Sequence, residues 1–297
     1  MKYILSAIIL ILLLGAGWYF FLREAPTPTP QSPEVSTGTE NSGQVTSPQE
    51  DDGTTVIGRS ADGADITAYH YGTGADEVVF VGGIHGGYSW NTALVAYELM
   101  DHLEANLATI PSNVRVTVIP ALNPDGLEDV VGTTGRFEAS DVSTSADTTA
   151  ARFNGNEVDL NRNFDCDWQE KAVWQSKQVS GGTAAFSEPE AQAIRDYVGT
   201  KGPKAVIVWY ASAGGVYASN CHNGVLAETR EILNRYAQAS GYSAHETFDY
   251  YAVTGDMTNW LAKVGIPSIS VLLSDHTSTE WSKNRAGIDA ILSYYAD

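Results

Sequence analysis

The sequence is poor in basic residues. It has 17 lysines and arginines against 36 aspartates and glutamates, and its formal net charge is -19. A protein that binds a nucleic-acid backbone needs a surface rich in lysine and arginine. The composition therefore excludes nucleic acid as a partner. An acidic surface instead keeps a protein soluble or favours cationic ligands.

Cysteine is also scarce, with two residues in 297: Cys166 in FDCDW and Cys221 in SNCHNG. Zinc fingers need clustered Cys/His spacing such as CxxC, which is missing here. Two cysteines permit one disulfide between two loops, or two buried free thiols. We expect the disulfide, because the N-terminal sequence points to a domain outside the cytoplasm.

Long apolar runs are limited to the N-terminus. Residues 3–22 carry no charge and are long enough to cross a bilayer. Because WYFF continues this run and no small-residue cleavage site follows, we predict an uncleaved transmembrane anchor at 1–24. Residues 25–55 are rich in Pro, Thr, Ser and Glu, which predicts a disordered linker. The folded domain is predicted at 56–297, membrane-anchored on the extracytoplasmic side, with its oligomeric state open.

The remaining sequence alternates strand-like and helix-like segments. EVVFVGGI, KAVIVWYAS and IPSISVLLS read as strands, NVRVTVIPALNPDG reads as a strand that ends in a turn, and WNTALVAYELMDHLEANL has helical spacing of its apolar residues. This alternation predicts an α/β sandwich, with a mixed, largely parallel sheet and helices on both faces. Ligands of such sheets bind beyond the carboxyl ends of the strands. GGIHGG, NPDG, WYASAGG and LLSD all follow strands there; NPDG reads as a Pro/Gly turn.

Five motifs together resemble those of the zinc metallocarboxypeptidases of the carboxypeptidase A/B type, in particular their bacterial branch. They are GGIHGG around His85, NPDG (123–126), VDLNRNFD (158–165), FSEPE (186–190) and YYAVTGDMTNW (250–260). The resemblance implies the carboxypeptidase-like fold and one zinc held by two histidines and a glutamate. It also implies a glutamate as general base on the zinc-bound water. An Asn-Arg pair, a second arginine and a mobile tyrosine would bind a peptide's C-terminal carboxylate.

Part of this set has a counterpart in the sequence. By resemblance, His85 matches the first zinc histidine and Asp159 the acidic residue that orients it. The carboxylate-binding pair matches Asn161 and Arg162. The second arginine matches Arg152, with Arg136 as the competing position, and the mobile tyrosine matches Tyr251, with Tyr250 beside it.

The other chemical positions do not match. Ser89 stands where the glutamate ligand is expected, Tyr210 where the second histidine is expected, and Leu272 where the general base is expected. A tyrosine hydroxyl titrates near pH 10, so it ligates zinc poorly at neutral pH. Leucine cannot accept a proton. His276 is a possible replacement ligand, although an exposed loop histidine is the simpler interpretation.

Two hypotheses follow. The first is a catalytically impaired pseudoenzyme that recognises the C-termini of peptides or peptidoglycan stems, with a vestigial His85 and doubtful zinc binding. The second is an active zinc carboxypeptidase with rearranged ligands. By the resemblance, Thr258 lies near the base of the pocket that receives the side chain of the C-terminal residue, and it offers no charge to a basic side chain. The nearby Asp256 leaves a preference for cationic side chains open.

Overall fold

The structure is a computed structural model that describes residues 53–296, within one folded unit, Glu50–Asp297. The predicted anchor, 1–24, and nearly all of the predicted linker lie outside the described residues. None of the helices in residues 53–296 has the length and hydropathy that a bilayer crossing requires.

The described residues form ten strands, β1 to β10, and six α-helices, α1 to α6. The strands are Thr54–Arg59, Asp65–Tyr71, Asp76–Val81, Val114–Ile119, Lys171–Trp174, Lys177–Ser180, Ala205–Ala211, Gly215–Ala218, Ala244–His245 and Ser268–Leu273. The helices are Trp90–Ala105, Pro124–Val131, Pro189–Lys201, Ala227–Ser240, Met257–Lys263 and Trp281–Tyr294.

Eight strands form one mixed sheet in the order β1-β2-β4-β3-β7-β10-β8-β9. The central strands β4, β3, β7 and β10 run parallel, β1, β2 and β4 pair antiparallel, and β8 pairs antiparallel with β10. Strands β5 and β6 form a separate hairpin. The predicted mixed, largely parallel sheet is confirmed.

Alternate residues of each central strand enter different cores, because successive side chains of a strand point to opposite faces. In β3, Val78 and Phe80 pack with helices α1, α4 and α6, whereas Val79 and Val81 pack with α3 and α5. Helices thus cover both faces of the sheet, as the sequence predicted.

Two local predictions differ from the structure. NPDG was interpreted as a Pro/Gly turn, but it begins helix α2: the Oδ1 of Asn123 accepts a hydrogen bond from the amide of Gly126 at 3.0 Å, and Pro124 occupies the first helical position. Strand β1 begins at Thr54, two residues before the predicted domain start. Thr54 and Thr55 pair with Tyr69 and Ala68, and such backbone pairing does not require apolar side chains.

A disulfide joins Cys166 and Cys221 across a separation of 55 residues. The bond connects the loop after Arg162 to the loop after β8. In the chain-entropy model, closing a loop of this length stabilises the fold by about 4 kcal/mol. It ties together two loops that border the cleft described below.

A buried carboxyl group in α3 makes a pH dependence of stability testable. Glu190 is fully buried, and its oxygens accept hydrogen bonds from the amide of Ala61 at 2.8 Å and from Nδ2 of Asn154 at 3.0 Å. Both donors are neutral, so burial dominates and raises the pKa of Glu190 from 4.5 to about 7. The folded protein therefore keeps this proton to a higher pH than the unfolded chain does.

The contribution of Glu190 to the free energy of unfolding should be largest below pH 4.5. It should be lost as the pH rises through 7, because the buried carboxyl group must then give up its proton. Glu190 changes the free energy of unfolding by up to about 3 kcal/mol over this pH range. Urea unfolding at pH 5 and pH 8 measures it, with Glu190→Gln as the variant that cannot titrate. Identical pH profiles for the wild type and the variant would contradict the raised pKa.

Candidate functional site

A cleft of about 860 Å³ lies at the carboxyl ends of β3, β7 and β10. Because these strands are parallel, their ends meet at one edge of the sheet, where open α/β sheets bind ligands. The cleft brings together His85, Arg152, Asn161, Arg162, Tyr210, Tyr251 and Leu272. Residues separated by up to 187 positions in the sequence thus line one space.

His85 is buried, with 4% of its surface exposed. Its Nδ1 lies 3.7 Å from Oδ1 of Asp159, which is longer than a hydrogen bond, and it has no hydrogen-bond partner among the described residues. Burial, reinforced by the charge of Arg152, lowers the pKa of His85 well below 6.5. The imidazole is therefore neutral at neutral pH, and its Nδ1 is left without a hydrogen bond in the described part of the chain.

The three unmatched positions surround His85 but offer little to a metal ion. Ser89 is buried, and its Oγ has no partner in the described part of the chain. The Tyr210 hydroxyl hydrogen-bonds to Oδ1 of Asn161 at 3.3 Å, and burial, with the charge of Asp256, raises its pKa well above 10. Leu272 adds an apolar side chain to the wall.

These donors do not fit zinc. A catalytic zinc site has three protein ligands of the His, Glu, Asp or Cys type, and residues 53–296 contain no group of three such side chains placed to hold a metal ion. His276 does reach the cleft, but its Nε2 lies 3.3 Å from the Oγ of Ser212 and its ring packs edge-on against Tyr88. The replacement ligand set that the sequence left open does not assemble here.

Arg152 forms a buried ion pair. Its Nε and Nη2 both lie 2.9 Å from Oδ2 of Asp159, and 2% of its surface is exposed. Burial alone would raise the pKa of Asp159, but the charges of Arg152 and Arg162 outweigh burial and lower it. The guanidinium lies 4.3 Å from the ring centroid of Trp174 and 5.5 Å from that of Tyr88, so it is held between a carboxylate and two aromatic rings.

Arg162 is equally buried, at 1% exposure, but its partners differ. Its Nε donates to the carbonyl oxygen of Val173 at 2.9 Å, and its Nη1 donates to that of Asn161 at 2.6 Å. Within residues 53–296 it forms no salt bridge. These contacts use Nε and Nη1 but not Nη2, and the side chain lines the cleft. Its charge acts on Asp159 without an ion-pair contact, so an anionic ligand would give this buried cation a direct partner.

The side chain of Asn161 forms three hydrogen bonds within the protein. Its Nδ2 donates to Oδ2 of Asp256 at 2.7 Å, and its Oδ1 accepts from the amide of Met257 and the hydroxyl of Tyr210. Since an amide nitrogen carries two hydrogens, one remains for a ligand. Asn161 thus links Arg162, its neighbour in the chain, to Asp256 and the beginning of α5.

The sequence left two alternatives open, one for the second arginine and one for the mobile tyrosine, and the structure separates the two candidates in each case. Arg152 lines the cleft, whereas Arg136 is an exposed residue that pairs with Asp101 outside it. Tyr251 is half-buried, packs edge-on against Phe248 and adjoins the small cluster formed by the β5–β6 hairpin. Tyr250 is 63% exposed.

Three cleft features were missed from the sequence: Trp174 and Tyr88 around Arg152, and the network centred on Asp256. Trp174 lies at the end of β5, in a hairpin that the sequence analysis did not identify. The alternation of KAVWQSKQVS around a two-residue turn was the available signal.

The fold and the cleft define an α/β protein of the carboxypeptidase type, with paired arginines at the strand ends. The family model of the zinc carboxypeptidases matches residues 43–295, and the chain belongs to this family. The family identified from the motifs is thereby confirmed.

Solved structures agree in fold. The murein-tripeptide amidase MpaA of Escherichia coli O157 has a TM-score of 0.56 and 20% identity, covering 83% of this chain and 93% of that one. Carboxypeptidase A of Helicoverpa armigera has a TM-score of 0.61 and 19% identity, covering 81% of this chain and 66% of that one. A curated relative, Bacteriocin BCN5 of Clostridium perfringens, is 25% identical over 236 residues, which are 75% of this chain but 23% of that protein. This chain thus spans less than a quarter of that relative's length.

Proposed function

We propose that this protein is a carboxylate-binding member of the zinc carboxypeptidase family that recognises the C-termini of peptides without hydrolysing them. Arg152, Arg162, Asn161 and Tyr251 form the binding side of the cleft. His85 is the remnant of a zinc site whose other ligand positions are Ser89 and Tyr210.

The observation that carries the proposal is the contrast between the two buried arginines. Asp159 compensates the charge of Arg152, whereas Arg162 donates to two neutral carbonyl oxygens. Arg162 therefore has no ion-pair contact of its own among the described residues and keeps part of its guanidinium group for a ligand in the cleft. A terminal carboxylate supplies the matching charge, and a planar guanidinium suits its two oxygens.

The loss of hydrolysis rests on Tyr210 and Leu272. A phenol with a pKa well above 10 stays protonated at neutral pH and is a weak ligand. Leucine at the general-base position cannot accept a proton. The alternative, an active zinc peptidase with rearranged ligands, requires a donor set that the described residues do not bring together.

The location of the protein completes the proposal. The uncharged run 3–22 and the Pro/Thr/Ser/Glu-rich segment after it support a domain tethered to a membrane on its outer side. The disulfide between Cys166 and Cys221 agrees with an oxidising compartment. Peptidoglycan stem peptides are one class of ligand there, and the similarity in fold to a murein-tripeptide amidase is consistent with that class.

The test compares one peptide in two forms, with a free C-terminal carboxylate and with a C-terminal amide. We expect the free acid to bind the purified protein with a Kd in the micromolar range and the amide to bind at least about tenfold more weakly. Metal analysis of the same sample should find zinc far below one per chain. Equal binding of the two peptides would overturn carboxylate recognition. One zinc per chain with chelator-sensitive release of C-terminal residues would establish the alternative.

A further inference from the structure

Beyond the arginines, the cleft is lined by polar side chains from α5 and β10. Thr258, Asn259 and Ser270 all line it, together with the carboxylate of Asp256. Asp256 is buried, and it accepts hydrogen bonds from Nδ2 of Asn161, the hydroxyl of Thr258 and the amide of Asn259. These donors are all neutral.

The carboxylate of Asp256 fixes the direction of the hydrogen bonds beside it. A hydroxyl has one hydrogen, and that of Thr258 points to Oδ1 of Asp256, 2.7 Å away. The contact of 3.1 Å between the hydroxyls of Thr258 and Ser270 must then be donated by Ser270. Ser270 therefore turns lone pairs, not its hydrogen, to the cleft. The Tyr210 hydroxyl takes none of these lone pairs, because its one hydrogen points to Oδ1 of Asn161.

Asn259 has the opposite polarity. Its Oδ1 accepts a hydrogen bond from the amide of Asn220 at 3.0 Å, which assigns the oxygen of this side chain. Its Nδ2 has no partner among residues 53–296, and therefore keeps its two hydrogens for a ligand. The pocket thus offers an acceptor at Ser270 and a donor at Asn259, beside the carboxylate of Asp256, whose oxygens already accept three hydrogen bonds.

We propose that this pocket selects a C-terminal residue whose side chain ends in a carboxamide, as in glutamine or asparagine. A carboxamide presents an N–H to the acceptor and a carbonyl oxygen to the donor. A side chain that ends in an ammonium group offers no acceptor to Nδ2 of Asn259, and one that ends in a carboxylate offers no donor to the hydroxyl oxygen of Ser270. An aliphatic side chain leaves both pocket groups without a hydrogen bond, which costs binding free energy. This inference rests on the proposed function, because it concerns the residue whose carboxylate the arginines bind.

The experiment uses peptides that are identical except for a C-terminal Gln, Lys, Glu or Leu, each as the free acid. We expect the peptide ending in Gln to bind at least about tenfold more tightly than the other three, since each alternative leaves a buried polar group unpaired. Asn259→Asp keeps the oxygen that holds the amide of Asn220 but removes the donor. We expect this variant, and Ser270→Ala, to abolish the preference for Gln.

Ser212→Ala is the matched control, because it removes a cleft hydroxyl outside this network, and its preference should equal that of the wild type. Circular dichroism and urea unfolding establish that each variant is folded. Binding of all four peptides without a preference, or tighter binding of the peptide ending in Lys or Leu, would overturn the carboxamide inference alone. Failure of all four to bind would overturn the proposed function and the inference with it.

Discussion

Replacing Arg162 by methionine should weaken the binding of a peptide with a free C-terminus by about 100-fold or more, the size of loss expected when one partner of a buried charge pair is removed. Arg162 is the buried arginine of the cleft that forms no ion pair with a carboxylate of the described residues. Methionine retains an unbranched apolar side chain but neither charge nor hydrogen-bond donors. Titration calorimetry with the free-acid peptide measures the loss, and the amide peptide should lose far less.

Two further variants separate charge from geometry. Arg162→Lys keeps the positive charge but not the planar fork, so we expect a smaller but clear loss of affinity. Arg136→Met removes an exposed arginine that pairs with Asp101 outside the cleft, and affinity should stay unchanged. Urea unfolding is needed for Arg162→Met, because the carbonyl oxygens of Val173 and Asn161 lose their donors. A folded Arg162→Met protein with wild-type affinity would rule out carboxylate binding at this position.

The contacts that hold the two arginines of the cleft overlap only in part with the positions that the resemblance assigns to the metal ligands. Arg152 is held by Asp159, Trp174 and Tyr88, and Arg162 by main-chain carbonyls, and none of these contacts involves the positions of Ser89 or Leu272. Tyr210, in contrast, hydrogen-bonds to Asn161, and Asp159 lies beside both Arg152 and His85. Substitutions at 89 and 272 thus leave the contacts of the arginines unchanged, whereas a substitution at 210 changes a partner of Asn161.

Much of the fold was predictable, because the pattern of apolar residues follows the period of each element. The buried strand β3 and helix α1 were identified from this pattern alone. Of the cleft residues, His85 follows the carboxyl end of the parallel strand β3, where ligand sites are expected. Arg152 and Arg162 lie in 3-10 turns at 150–152 and 160–162, and only the family resemblance pointed to them.

The parts that escaped prediction depend on tertiary contacts. The bond between Asn161 and Asp256 spans 95 positions, and nothing local in the sequence indicates it. The stacking of Trp174 on Arg152 requires a hairpin whose placement only the fold defines. The beginning of α2 at Pro124 was missed, although Asn123 and Pro124 are local signals of a helix start. The reason is that the sequence Pro-Asp-Gly is equally typical of a turn.

Restoring the lost side chains should restore metal binding. We expect the variant Ser89→Glu with Tyr210→His to bind about one zinc per chain, because His85 then has the two co-ligands that a three-ligand site needs. Nδ1 of His85 and Oγ of Ser89 are buried and have no hydrogen-bond partner among residues 53–296, and the two residues stand at the beginning and the end of one short 3-10 turn. Either substitution alone leaves two ligands and should bind zinc much more weakly. Mass spectrometry of the dialysed proteins, together with calorimetric zinc titration, measures the stoichiometry.

Adding Leu272→Glu tests the base position separately. Without a group that accepts a proton, the double variant should hold zinc but release few C-terminal residues, and the triple variant should hydrolyse the same peptides measurably faster. The pair of variants differs at one side chain, so the difference in rate reports on position 272 and not on metal content. If the folded triple variant took up no zinc, the assignment of Ser89 and Tyr210 to the ligand positions would be wrong. If the wild type already carried one zinc per chain, the metal-free function proposed for this cleft would fail at once.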